Sequence, residues 1–156
     1  MKRLMSVLLI AILFASCSSD DDNNDPPQAT IVGAWTLTEA NVEIPMDLNG
    51  DGTADRNFMN EVPCFVGTVA FTGNGTFSQT FSTLEEVVVN GQTTYTCNGT
   101  TATTGTYTLN GNQLTTTTDE PDPVTTTTTI NLSGNTLKAT IEFGNFGDVE
   151  LVYSRN

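Results

Sequence analysis

The feature that most constrains the fold is a turn that recurs between short segments of alternating polarity. LNGNQL at 109–114 and LSGNTL at 132–137 are near copies, FTGNGTF at 71–77 is a looser third, and VNGQ at 89–92 is a fourth. Glycine and asparagine tolerate the positive φ angles that tight hairpin turns require. Strands joined by such turns form an antiparallel up-and-down meander. The irregular spacing of the turns argues against a solenoid.

The segments between the turns place bulky residues on one face and threonine or serine on the other. In TLKATIEF at 136–143, Leu137, Ala139, Ile141 and Phe143 alternate with polar or small residues. This pattern is typical of antiparallel sheets with one wet face, and no stretch after residue 30 has a helical period. We predict strands, some of them merging, at about 33–40, 64–72, 76–83, 85–90, 93–98, 104–109, 113–119, 124–132, 136–143 and 148–154.

Two threonine runs, at 115–118 and 125–129, have a second interpretation. Runs of this kind also occur in disordered, mucin-like stalks. Leu114, Ile130 and Leu132 flank the runs in phase with a buried face, and threonine has good strand propensity. We therefore predict two strands around the turn DEPDP at 119–123.

A meander of this length is expected to close on itself. The chain has 156 residues, enough for one domain with a substantial core. A sheet of so many strands curls, and closure removes its exposed edges. The fold class that we predict is all-β, an antiparallel meander closing into an eight-stranded barrel, with nine or ten strands as the alternative count.

The order of three motifs resembles the lipocalin-like domain family of bacterial lipoproteins. Gly33 and Trp35 in IVGAWTLTEA resemble the Gly-x-Trp signature of lipocalins. The hairpin F-x-x-x-G-T-F follows at 71–77, and G-T-Y-x-L-x-G-N-x-L at 105–114. The resemblance covers most of 30–156 and implies a lipocalin-like barrel with a small apolar or amphipathic ligand inside. Trp35 is expected to plug the bottom of the barrel, and no basic residue is obviously placed to cover it.

The N-terminus is typical of a secretory signal peptide. Lys2 and Arg3 precede an apolar run at 4–14, which is too short to span a bilayer. Small residues then lead to Cys17, and this arrangement resembles the lipobox of bacterial lipoproteins. The resemblance implies a signal peptide at 1–16, cleavage before Cys17, and a lipid on Cys17 that anchors the chain to a membrane. An ordinary signal peptide with an incidental cysteine is the alternative.

The segment at 17–29 lacks apolar residues that could join a core, so we expect a disordered tether. Its run Ser-Ser-Asp-Asp-Asp at 18–22 resembles the export signal of surface lipoproteins in some Gram-negative bacteria. We expect attachment to the outer membrane with the barrel domain, residues 30–156, facing the exterior. A solvated acidic linker is the plainer interpretation of the same run.

Two cysteines remain once Cys17 is assigned to the lipid. In an oxidising compartment, Cys64 and Cys97 are best interpreted as a disulfide. Two free buried thiols are the alternative.

An acidic loop follows the first predicted strand. In DLNGDGTAD, Asp47, Asn49, Asp51, Thr53 and Asp55 occupy alternate positions. Oxygen ligands at such spacing, with a glycine at the sixth position, can wrap a calcium ion. We predict a structural calcium site, with an Asx-rich acidic turn as the alternative. A helical EF-hand is excluded, because position twelve lacks the glutamate that it requires.

The nearest carboxylate that could fold back to complete the acidic loop is that of Glu61. The loop lies in the long connection before Cys64, and long loops in compact domains are usually functional or are ordered by a contact. A cation and the adjacent disulfide would both order this one.

Charge and residue content exclude several function classes. The five basic and 18 acidic residues give a net charge of −13, so nucleic acid is not an expected partner. The chain has no histidine, which removes Ser-His-Asp and Cys-His catalysis. Glu85 and Glu86 are adjacent, so they point to opposite strand faces and cannot flank one glycosidic bond. We expect no enzymatic activity.

Two functions stay open at this point. One is a binding module whose barrel holds a ligand, and the other is a structural or interaction module whose barrel is filled. Gly67 and Ala139 on the inward faces favour a cavity, whereas the many inward phenylalanines favour filling. The volume of any cavity distinguishes the two.

Overall fold

The computed structural model describes residues 30–89 and 91–156, so the predicted signal peptide and tether at 1–29 lie outside the described residues. The strands are β1 (Gly33–Met46), β2 (Asp55–Asn57), β3 (Gly67–Phe71), β4 (Thr76–Val89), β5 (Gln92–Asn110), β6 (Gln113–Thr118), β7 (Thr125–Ser133), β8 (Thr136–Glu142) and β9 (Asp148–Arg155). A short helix α1 (Phe58–Glu61) follows β2, and a 3-10 turn (Gly144–Phe146) precedes β9. In this part of the chain no helix is long and apolar enough to cross a bilayer.

The strands form a closed antiparallel barrel. From β3 to β9 each strand pairs with the next, β1 pairs with β3, and β1 also pairs with β9. Eight strands therefore close the barrel, and β2 is added beside β1. The predicted meander and its closure are confirmed. The turn glycines explain the sharp reversals, since Gly111 has φ 61° and Gly134 has φ 55°.

The two threonine runs are strands, as predicted. They lie in β6 and β7, with Thr115 opposite Thr127 and Thr117 opposite Thr125. On the outer face the hydroxyl oxygens of these two pairs are 2.9 and 3.0 Å apart. Cross-strand threonine hydrogen bonds of this kind stabilise a sheet.

Some strand boundaries differ from the predicted ones. The segments predicted at 76–83 and 85–90 merge, as the prediction allowed, into one strand, β4, which ends at Val89 among the described residues and whose pairing with β5 shifts between Ser82 and Leu84. Their partners at 93–98 and 104–109 are likewise one strand, β5. The first strand extends to Met46 because its second half pairs with β2 and β9. The strand predicted from residue 64 begins at Gly67.

The closed end of the barrel is built around Trp35. Its side chain is fully buried, and its indole N–H donates to the carbonyl of Ile31 at 2.8 Å. The Arg155 guanidinium lies over the indole, 4.2 Å from the ring centroid, and donates to the carbonyls of Val32 and Thr30. The expectation that no basic residue covers Trp35 is therefore wrong.

Gly33 makes room for that arginine. A Cβ atom on Gly33 would lie 2.5 Å from Arg155 Nη1, and the φ of 140° is one that side-chain-bearing residues rarely adopt. The glycine and the tryptophan of the Gly-x-Trp motif thus share one role, which is to seal this end of the barrel.

Candidate functional site

The barrel contains a cavity of about 440 Å³. Its apolar lining comes from α1 and from several strands, including β1 and β9, whose pairing closes the barrel. Six of the lining residues are phenylalanines: Phe58, Phe65, Phe71, Phe77, Phe81 and Phe143. Others are aliphatic, including Val69, Leu114, Leu137, Ile141, Val149 and Leu151. Phe58 was not among the inward phenylalanines predicted from the sequence, whereas the other five were; all six surround the space without filling it.

Helix α1 places one of these rings at the end of the barrel. Its N-cap is Asn57, whose side-chain oxygen accepts from Met59 N at 3.2 Å and from Ala40 N at 3.1 Å. The helix thus sits against β1, and Phe58 is 2% exposed. The Phe58 ring contacts Phe65 edge-on, with centroids 5.2 Å apart.

A disulfide fixes the segment that carries Phe65. Cys64 is bonded to Cys97 on β5, as the sequence predicted. Beside it, the Ser82 hydroxyl donates to the Cys64 carbonyl at 2.8 Å and accepts from Val66 N at 2.9 Å. These bonds attach the segment to β4 and β5. Residues 64–66 therefore precede β3 and are not part of that strand.

Part of the lining is polar and uncharged. Gln79 on β4 is the cross-strand partner of Thr103 on β5, and Thr116 on β6 is the partner of Thr126 on β7. Thr101 and Thr128 also line the cavity. We name this set of six residues the polar wall.

The polar wall and the outer threonine pairs alternate along the same strands. Thr115 and Thr127 bond to each other outside, whereas the hydroxyls of Thr116, Thr126 and Thr128 make no hydrogen bond to another described residue. Unpaired hydroxyls that face a cavity are free to bond to whatever occupies it.

Tyr153 also lines the cavity, and burial raises the pKa of its phenol well above the ordinary value. The phenol is therefore protonated and neutral throughout the physiological range. Tyr153 adds a further uncharged polar group to the lining.

Ala139 and Gly67, the two small residues expected to favour a cavity, differ in whether they line it. Ala139 lines it, as expected. Gly67 does not, because the ring of Phe81 occupies the space beside it, and a Cβ on Gly67 would lie 2.5 Å from that ring. The close approach is what requires the glycine.

The acidic loop holds itself together through backbone hydrogen bonds. The Asp47 carboxylate accepts from Gly50 N and Gly52 N, at 2.8 and 2.9 Å. Asn49 Oδ1 accepts from Asp51 N, and Asp51 Oδ1 accepts from Thr53 N. These are the short-range bonds of Asx-rich turns.

Asp55, the last of the predicted calcium ligands, has hydrogen-bond partners outside the acidic loop. Its carboxylate accepts from the Asn60 side chain at 2.9 Å and from Asn57 N at 2.8 Å. The Asn60 bond, followed by the Asn57 bond, lowers the pKa of Asp55. Among the described residues no three acidic, cysteine or histidine side chains are grouped closely enough to hold a metal ion. Calcium binding therefore stays a sequence-based prediction.

Glu61 does fold back to the loop. Its Oε2 accepts from Leu48 N at 3.0 Å and from Asn49 N at 3.4 Å, and the residue is 5% exposed. A buried carboxylate that accepts two backbone N–H bonds is well compensated. Glu61 thus anchors the start of the acidic loop to α1.

Comparison with known proteins identifies a family and two similar solved structures. The model of a lipocalin-like domain matches residues 31–139. Two similar solved structures are a lipocalin-like protein from Bacteroides uniformis and fatty-acid-binding protein 1 from Echinococcus granulosus. The first has 17% identity and a TM-score of 0.42, covering 81% of this chain and 98% of that one. The second has 12% identity and a TM-score of 0.35, covering 80% and 96%. No curated protein matches the sequence significantly.

Proposed function

The chain belongs to the lipocalin-like domain family, and we propose that it is a lipid-anchored protein that binds one small apolar or amphipathic molecule inside its barrel. The cavity of about 440 Å³ carries the proposal. Ligand pockets in proteins are about 300–1,000 Å³, mostly apolar, with a few placed polar groups. The phenylalanine-rich lining and the polar wall match that description.

The alternative function, an interaction module with a filled barrel, is less well supported. Eight-stranded barrels hold either side chains alone or one small ligand. A filled interior would leave no void much larger than a water molecule, because protein cores are close-packed. The observed cavity is far larger than that.

Probe binding tests the proposal. The probe N-phenyl-1-naphthylamine is neutral and fluoresces in apolar surroundings, and we expect the unlipidated Cys17→Ala protein to bind it at one site. Ala139→Phe, which fills part of the cavity, should weaken binding by at least about tenfold. Ala102→Phe is the matched control, since Ala102 is exposed on the outer face of β5. Absence of probe binding, or equal loss in both variants, would contradict the proposal.

The proposed lipid anchor and its cellular location are supported by the sequence alone. A lipid on Cys17 would place the barrel at the outer membrane, and the acidic tether would display it outside the cell. Cys17→Ala should abolish lipid labelling and release the protein from membranes. Neutralising Asp20, Asp21 and Asp22 should leave the protein lipidated but reduce its cleavage by external protease. Unchanged membrane fractionation of Cys17→Ala would overturn the anchor.

A further inference from the structure

We infer that the ligand is an uncharged amphipathic molecule, with an apolar body against the phenylalanines and hydroxyl, ester or amide oxygens against the polar wall. This inference rests on the proposed function and names its ligand class. A long-chain alcohol or a monoacylglycerol has this chemistry, whereas an ionised fatty acid does not.

The first observation is the absence of charge from the cavity. None of the described residues that line it is aspartate, glutamate, lysine or arginine. Transfer of an isolated carboxylate into such a lining is costly, because nothing replaces its hydration with an opposite charge. The acidic chain, with a net charge of −13, adds repulsion for an anion.

The second observation is where the positive charges lie. Residues 30–89 and 91–156 contain three cationic side chains, those of Arg56, Lys138 and Arg155. Arg155 is bound to Trp35 and to backbone carbonyls at the closed end. Lys138 pairs with Glu150 at 3.1 Å, and Arg56 is exposed outside the cavity lining. None of them is placed to neutralise an anion inside the barrel.

The third observation is the clustering of the polar wall. Its threonines lie on three successive strands, β5 to β7, and Gln79 lies on the adjacent β4. Thr116 and Thr126 are cross-strand partners close to the turn that joins β6 to β7, where Thr126 is also exposed to solvent. Each hydroxyl both donates and accepts, and Gln79 does the same through its amide. This combination suits neutral oxygens.

Competition among ligands of equal chain length tests the inference. Decan-1-ol, monodecanoylglycerol and decanoic acid compete with N-phenyl-1-naphthylamine at neutral pH on the Cys17→Ala protein. We expect both neutral ligands to displace the probe at concentrations at least about tenfold lower than decanoate does, since a desolvated carboxylate is disfavoured. The decanoic acid affinity should rise as pH falls toward about 4–5, where its carboxyl protonates. Tyr153, the titratable side chain among the described lining residues, stays protonated over this range.

Threonine-to-valine variants test the polar wall itself. Valine keeps the shape and strand propensity of threonine but removes its hydroxyl. Thr116→Val and Thr126→Val should each weaken monodecanoylglycerol binding several-fold more than they weaken probe binding, because the probe has no oxygen to bond to the lost hydroxyl. Thr115→Val is the matched control, because its hydroxyl faces outward to Thr127. Thr115→Val should change neither the affinity for monodecanoylglycerol nor the affinity for the probe.

The outcomes separate the two claims. Failure of the probe and of all three ligands to bind overturns the proposed function. Binding in which decanoate is equal to or tighter than decan-1-ol overturns this inference and leaves the proposed function standing. A neutral preference that survives in both Thr116→Val and Thr126→Val with unchanged affinity overturns the role of the polar wall.

Discussion

The guanidinium of Arg155, at the end of the last strand, lies 4.2 Å from the ring centroid of Trp35, near the start of the first. The contact joins the two strands whose pairing closes the barrel. A cation over an indole face, with two hydrogen bonds to backbone carbonyls, is a favourable arrangement. The barrel is therefore closed by a side-chain contact as well as by the backbone hydrogen bonds between β1 and β9.

We predict that Arg155→Met lowers the free energy of unfolding by about 1–3 kcal/mol, because it removes the cation–π contact and two charge-assisted hydrogen bonds. Urea denaturation measures the change. Lys138→Met is the matched control, since Lys138 makes one half-exposed ion pair with Glu150 and should cost less than about 1 kcal/mol. An equal effect of the two substitutions would contradict the role of Arg155 in closure.

The disulfide gives a second prediction. Cys64 and Cys97 are 33 residues apart, so replacing both by alanine should destabilise the fold by about 3–4 kcal/mol in the chain-entropy account. Phe65 follows Cys64 directly, so probe affinity should also fall. Peptide mass mapping without reductant should find the two cysteines joined. If both thiols react with an alkylating agent in the native protein, the bond is absent.

Gly105 gives a third prediction. A Cβ at this position would lie 2.0 Å from the backbone oxygen of Thr117, and backbone cannot yield as a side-chain tip can. Gly105→Ala should therefore destabilise by more than about 2 kcal/mol, as overpacking does. Gly73→Ala is the control, because nothing lies within 4 Å of its Cβ position, and it should change stability by less than about 1 kcal/mol. Thermal melting of both variants decides the matter; similar melting temperatures would refute the close approach.

Calcium binding by the acidic loop is the fourth prediction, and it derives from the sequence. Without a bidentate glutamate, the expected dissociation constant is about 0.1–1 mM. At the tighter limit, calcium at about 2 mM would stabilise the fold by roughly 1.8 kcal/mol. The melting temperature should rise with calcium and less with magnesium. Asp47→Ala or Asp51→Ala should remove the response, and Asp119→Ala should not.

An identical melting curve in calcium and in chelator, for protein stripped of metal beforehand, would make the loop an acidic turn. The hydrogen bonds of Asp47 and Asp51 to the loop backbone are consistent with that simpler role.

The repeating turns and the alternation of polarity predicted the meander, its closure and the strands of the threonine runs. These features depend on local chemistry, namely glycine at positive φ and period-two burial, which a single sequence displays. The cysteine pair was also predictable, because only two cysteines remain after Cys17. The short helix α1 was missed, since four residues are too few to show a period.

Apart from the disulfide, side-chain contacts between distant segments were not predictable. Nothing in the sequence near Trp35 indicates that Arg155 covers it, because the contact depends on how the last strand returns to the first. Gly67 was interpreted as a source of empty space, but the ring of Phe81 lies beside it. The polar wall was missed for a related reason. Alternation shows that one set of threonines faces inward, but it does not show which inward set borders a cavity.

The decisive measurement is the position at which the ligand binds. Threonine methyl groups report it by NMR, because inward and outward threonines alternate along β6 and β7. On titration with decan-1-ol, we predict that the methyl signals of Thr116, Thr126 and Thr128 shift and saturate together, while those of Thr115 and Thr127 stay in place. Shifts confined to the outward pair, or no shift at saturating ligand, would contradict binding inside the barrel.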